Sequence, residues 1–343
     1  VLDFSSALYL GWRHASRDLP PWRALSEGRP AALAEPAGAR EVAAELATLL
    51  GREAALLLPS TLHLFWDLAG VLIRDGTTIY MDRTAYPLAR WGAERGAALG
   101  HPPVAFGPAG AELAQVLART LPPGRWPVVF TDGFQPVVAR QPPWRAYLAL
   151  LRRHGGLLVQ DDTQALGVCG PRGRGSALAG PDVLVAASLA KGFGVPVAVL
   201  AGPRERIARF AAASQTREHA SPPSVAAIAA LARALALNRT QGDAARARLA
   251  EGVQRFRARL ARGGLACDGG AFPVQSPRLP AGQPAARVHA ELQRRGVRAV
   301  LHRAREGRAA RLSFLLTATH PPAAVERAAQ LLLDVVAPLR LRA

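Results

Sequence analysis

Lys191 is the single lysine in a chain of 343 residues that carries 43 lysine and arginine side chains. It stands in Ser188-Leu189-Ala190-Lys191-Gly192-Phe193-Gly194. A guanidinium stays protonated, whereas a partly desolvated lysine amine can lose its proton and condense with an aldehyde. A lysine that merely escaped a bias toward arginine is the plain alternative, so the neighbouring residues must decide. Upstream, Leu157-Leu158-Val159-Gln160 leads into Asp161-Asp162. An aspartate in such a place is often only a turn or a helix cap. Paired with a lysine that follows a nearby strand, it becomes a candidate acid beside a candidate nucleophile.

These two residues need a scaffold that brings strand ends together. Short apolar runs suited to buried strands occur at 54–58, 77–81, 128–131, 157–161, 183–188 and 197–201, with amphipathic stretches between them. The alternation predicts an α/β fold, a mostly parallel sheet with helices on both faces. Helices are expected at 41–50, closed by Gly51, and at 144–154, closed by Gly155. After Pro222-Pro223 a long helix is expected over 224–262, then strands at 272–275, 297–301 and 312–317, with helices at 285–295 and 321–336. The predicted organisation is an N-terminal segment over 1–40, a large α/β domain over 41–225, and a linking helix with a small α+β domain over 226–343. Open α/β sheets place ligands beyond the C-terminal ends of their strands, which is where Asp161 and Lys191 fall.

Composition narrows the classes. The formal net charge is +18, but the basic residues are dispersed and no recognition helix or zinc finger accompanies them, which argues against specific nucleic-acid binding. Such a surface would instead steer an anionic substrate or an acidic carrier protein, or simply solvate the chain. No apolar run is long enough to cross a bilayer and no leader-like start is visible. Cys169 and Cys267 are too few for a disulfide framework, so a reducing cytoplasm is expected. His63, His101 and His154 lack ligand partners at metal spacing, and no metal is expected.

A lysine that forms a Schiff base and a carboxylate that pairs with a pyridine nitrogen are what a pyridoxal phosphate site requires. The stretch from Gln160 to Gly175 resembles one that reads Asp-Glu/Asp-Ala-His-x-x-Gly-Val-x-Gly-x-x-Gly-Arg-Gly in the α-oxoamine synthases, a family of fold-type-I pyridoxal phosphate enzymes. Ser188 to Gly194 resembles the family's Thr/Ser-x-x-Lys-x-Phe-Gly. Leu2 to Gly11 is similar to its opening Phe-Ser-Ser-Asn-Asp-Tyr-Leu-Gly, and Leu315 to His320 to its closing Leu-Thr-Ala-x-His. By this resemblance Lys191 is the Schiff-base lysine and Asp161 the partner of the ring nitrogen. Ser188 and the turn containing Ser60, Thr61 and Leu62 would hold the phosphate, as a helix start can. Ser60 and Thr61 serve equally well as a simple N-cap. Tyr86 takes the place of the ring-stacking histidine, and Gln164 that of the histidine that bonds the phenolic oxygen.

Other positions depart from the pattern. The opening asparagine is Ala7, the residue expected to reach a partner subunit's phosphate falls among Glu218 and His219, and the arginine that grips the substrate carboxylate aligns with Ser313. Arg311, two residues earlier on the expected strand, could supply that grip, as could Arg303 or Arg308. The arginines of Gly170-Pro171-Arg172-Gly173-Arg174-Gly175 are candidate substrate contacts. The resemblance implies a homodimeric acyltransferase that joins an amino acid or related amine to an acyl thioester of coenzyme A or an acyl carrier protein. An aminotransferase or other Cα reaction, and an inactive scaffold of the same fold, remain open.

Overall fold

The computed structural model describes residues 1–107, 110–136, 141–304 and 309–340. The chain begins with β1 (Leu2–Asp3) and continues with α1 (Ala39–Leu50), β2 (Ala54–Leu58), α2 (Thr61–Arg74), β3 (Thr77–Asp82), α3 (Pro87–Ala98), β4 (Val104–Phe106) and α4 (Gly110–Thr120). There follow β5 (Trp126–Asp132), α5 (Trp144–Arg152), β6 (Leu157–Asp161), β7 (Val183–Ser188), β8 (Ala198–Gly202), α6 (Arg204–Ala213), α7 (Gln215–His219) and α8 (Val225–Arg262). The last elements are β9 (Cys267–Asp268), β10 (Val274–Pro277), α9 (Ala285–Arg294), β11 (Val297–Arg298), β12 (Val300–His302), β13 (Arg311–Leu315) and α10 (Pro322–Arg340).

Two compact units emerge, one from the described residues of 13–134 and 141–240, the other from those of 1–12, 135–136 and 241–340. The large unit holds a seven-stranded sheet in the order β2-β8-β7-β6-β5-β3-β4. Only β8 runs against its neighbours. Its strands read as unbroken apolar runs because both faces are covered. Ile79, Met81, Val128, Phe130, Leu157 and Val159 pack with α2 residues such as Leu64, Phe65 and Leu68. Tyr80, Val129 and Leu158, one residue out of phase, pack with Leu113 of α4 and Trp144, Tyr147 and Leu151 of α5. Burial thus fixes the phase of each strand, and parallel pairing places Asp132 opposite Asp161 and Asp161 opposite Ala186 at the C-terminal end of the sheet.

The small unit has an antiparallel sheet, β12-β13-β10-β9, and a parallel pair, β1 with β11. Phe314 of β13 lies 5.8 Å from Phe4 and 5.0 Å from Phe256 between ring centroids, which ties the first residues and α8 into one core. The strand expected over 297–301 is instead two strands in two sheets. Val297 and Arg298 pair with Leu2 and Asp3, Ala299 turns away with its carbonyl bonded to His289, and Val300 starts the pairing with β13. The Pro-Pro segment does precede the long helix, and residues 1–12 cluster with the C-terminal unit.

Candidate active site

Lys191 sits in a tight turn after β7, closed by bonds from the Leu189 amide to the Val197 carbonyl (2.8 Å) and from the Val195 amide to the Leu189 carbonyl (3.1 Å). His14 braces it through the Phe193 carbonyl at 2.9 Å. Gly192 must be glycine, since a Cβ there would run into the Leu166 carbonyl oxygen. The Lys191 amine is half-buried and lies 5.6 Å from the centre of the Tyr86 ring, which is 50% exposed. Burial pushes the amine below its ordinary basicity, and the charges of Asp161 and Asp132 oppose the fall.

Asp161 is buried, and its carboxylate accepts the Thr163 amide at 3.0 Å. Burial raises its pKa, against the hydrogen bonds from Thr163 and the charge of Lys191. Thr163 also takes the Ser188 amide on its hydroxyl at 2.8 Å, so one threonine positions both residues. The Ser188 hydroxyl accepts the Ala190 amide at 3.3 Å. Gln164 is half-buried in the turn that follows β6. The neighbouring Asp162 has a structural role. It accepts the Ser176 hydroxyl and, at 2.9 Å, the Ser176 amide, and a Cβ on Gly175 (φ +90°) would strike it. Burial pushes its pKa up to about 7 against those bonds.

Ser60 caps α2, its hydroxyl accepting the His63 amide at 3.4 Å and bonded to the His63 ring at 2.8 Å. Thr61 and Leu62 are the first helical residues, whose amides have no partner within a helix. Because β2 runs parallel to β6 and β7, α2 starts at the sheet end that carries Asp161 and Lys191. Asp132 joins the site through register alone. It accepts the Tyr86 amide at 3.0 Å, and burial and Asp161 raise its pKa well above the ordinary value.

Arg172 adopts φ +54°, with its carbonyl held by Asn238 at 3.0 Å, and Arg174 lies near Arg52. Glu218 and His219 form an exposed pair at 4.0 Å in α7. In the small unit Arg311 is paired with Asp268 at 3.1 Å, and Arg278 engages the same carboxylate at 2.6 Å. Ser313 is buried, bonded to Ser276 at 2.7 Å and His302 at 3.1 Å. Among the described residues Arg303 forms no ion pair, and Arg308 lies outside them. No metal-binding group of histidine, cysteine and acidic residues occurs among the described residues, and no helix there is long and apolar enough to cross a membrane.

The family description aminotransferase class I and II matches residues 137–332. The 8-amino-7-oxononanoate synthase of Acidithiobacillus ferrooxidans is 30% identical over 353 aligned positions, covering 98% of this chain and 88% of that one. The chain belongs to the α-oxoamine synthase family. The corresponding synthase of Alkalilimnicola ehrlichii is 31% identical over 297 positions, covering 82% of this α-oxoamine synthase and 72% of the relative. The Sphingomonas wittichii serine palmitoyltransferase has the same fold, with a TM-score of 0.87 at 17% identity over 99% of this chain and 88% of that one. Members are fold-type-I pyridoxal phosphate enzymes. The residues present fit that cofactor: a desolvated amine, a buried carboxylate beside it, helix-start amides without an intrahelical partner and an exposed ring lie at one sheet end.

Proposed function

We propose that this α-oxoamine synthase joins an amino acid or a related amine to the acyl group of a thioester of coenzyme A or an acyl carrier protein. The observation that carries the reading is the chain's only lysine, desolvated beside Asp161 at the sheet end from which α2 starts. Lys191 would hold the cofactor aldehyde and, once released from it, move a proton at the substrate α-carbon, work suited to an amine of lowered basicity. When bound, pyridoxal phosphate supplies an electron sink for charge developing at that carbon. Asp161 would keep the ring nitrogen charged. The Thr61 and Leu62 amides, ordered by the Ser60 cap, and the Ser188 hydroxyl would hold the phosphate. Tyr86 would cover the ring and Gln164 would donate to its phenolic oxygen. Arg311 would grip a substrate carboxylate in competition with Asp268.

A homodimer belongs to the same reading. Leu62, Trp66, Tyr86 and Trp91 are 43%, 42%, 50% and 52% exposed on α2 and at the start and middle of α3, an apolar patch suited to a second copy. The match to aminotransferase class I and II keeps amino-group transfer as a second reading. The test follows thiol release from acyl thioesters with a panel of amines. Thiol release that requires an amine supports acyl transfer, whereas oxo-acid formation without a thioester supports amino-group transfer. Absence of borohydride-trapped cofactor on the Lys191 peptide would sink both.

A further inference from the structure

Three neighbouring strands of the large sheet end in carboxylates: Asp82 closes β3, Asp132 closes β5 and Asp161 closes β6. Asp82 is engaged locally, accepting the Thr84 amide at 2.8 Å, the Thr84 hydroxyl at 2.6 Å and the Thr131 hydroxyl at 3.1 Å. Asp132 and Asp161 are direct partners in parallel register. Asp132 is also bonded to the amide of Tyr86, whose ring lies 5.6 Å from the Lys191 amine. Lys191 follows β7 and its charge acts on both carboxylates.

Two carboxylates on paired residues, screened poorly by water, do not both ionise readily. We propose that Asp132 is a charge-setting and positioning residue: it shares one proton with Asp161, and its bond to the Tyr86 amide holds the Tyr86 ring beside Lys191. Asp161 can then carry full charge toward a cationic partner while Asp132 keeps the proton. The charged groups facing the pair are Asp82 from β3, Asp162 next to Asp161, and Lys191; the residue before α3 contributes the Tyr86 amide. Burial and mutual repulsion raise the affinity of the pair for a proton, and Lys191 opposes this. The meaning for catalysis rests on the function proposed above, but the sharing of the proton does not.

The single lysine makes the test direct. Protein labelled with carbon-13 at the lysine ε-carbon gives one side-chain resonance, which can be titrated without cofactor. The wild type should show an acid-side inflection from the carboxylate pair, above the ordinary range near ~4, and a second from the amine itself below its usual value. Asp132→Asn should lower the first by about one unit or more, because Asp161 then ionises without a like charge beside it. The amine inflection should fall too, having lost a supporting carboxylate. Asp132→Glu should restore both. Asn can still accept the Tyr86 amide, so only Asp132→Ala should also move the resonance at fixed charge, through displacement of the ring.

An acid-side inflection at the ordinary position in the wild type, or one unmoved in Asp132→Asn, overturns the proposal. Should Asp132→Asn fail to fold, Asp161→Asn read at the same resonance must lower the inflection, and failure to do so is equally fatal. Borohydride trapping of pyridoxal phosphate on the same samples separates the two ideas. Trapped cofactor with an unmoved titration removes the shared proton and keeps the function, and a moved titration without trapped cofactor does the reverse.

Discussion

Lys191 has to be basic enough to hold an aldehyde and neutral enough to attack one. Burial lowers its basicity while Asp161 and Asp132 limit the fall. Lys191→Ala and Lys191→Arg should both abolish borohydride trapping, since a guanidinium forms no such bond; trapped cofactor in either protein would refute the assignment. Asp161→Asn should keep trapping but slow turnover by roughly 10²- to 10³-fold, as loss of a placed charge does. Asp162→Asn should act on stability instead. Burial pushes its pKa up to about 7 from the ordinary 3.8, so Asp162 binds its proton more tightly when folded. Its contribution is therefore greatest below pH 3.8 and is lost as pH rises toward 7. Denaturation midpoints taken across that window should fall with pH in the wild type, and the slope should flatten in Asp162→Asn, whose amide mimics the protonated acid. Asp161 was readable from its place at the end of an apolar run. Thr163 and Asp132 were not, because their roles depend on which strands become neighbours.

At the scale of elements, the start of α2 carries the phosphate reading. Ser60→Ala removes the cap and should cost about 1 kcal/mol of stability. Fraying of the first turn should weaken binding of pyridoxal phosphate but leave binding of pyridoxal, which lacks the phosphate, unchanged. Equal loss of both in equilibrium titrations would show that the helix start does not read the phosphate. The strands β2, β6 and β7 were legible to the residue because each is an apolar run between chain breakers. By contrast β4 has only three residues, too few to show a period. The break at Ala299 was hidden for another reason: each half of that run answers to a different partner strand.

For the molecule as a whole, the charge of +18 should matter more for the acyl donor than for the amine. Raising salt from about 0.03 to about 0.3 M should lower kcat/KM for an anionic coenzyme A thioester several-fold and leave the amine KM nearly constant. Equal effects on both would remove the case for steering. The large parallel sheet could be foreseen from alternating apolar runs. That residues 1–12 belong with residues beyond 240 could not, since nothing local in Leu2-Asp3 names Val297-Arg298 as its partner.

The pairing of β1 with β11 also sets a timetable. Once synthesised, β1 waits for a partner that emerges nearly three hundred residues later, roughly fifteen seconds to a minute at ordinary rates of synthesis. Throughout that interval Phe4 lacks Phe314, the ring it packs against. The large sheet, whose strands all lie between Ala54 and Gly202, is under no such delay. A nascent chain stalled shortly before Val297 should therefore present a protease with a folded middle and an open beginning.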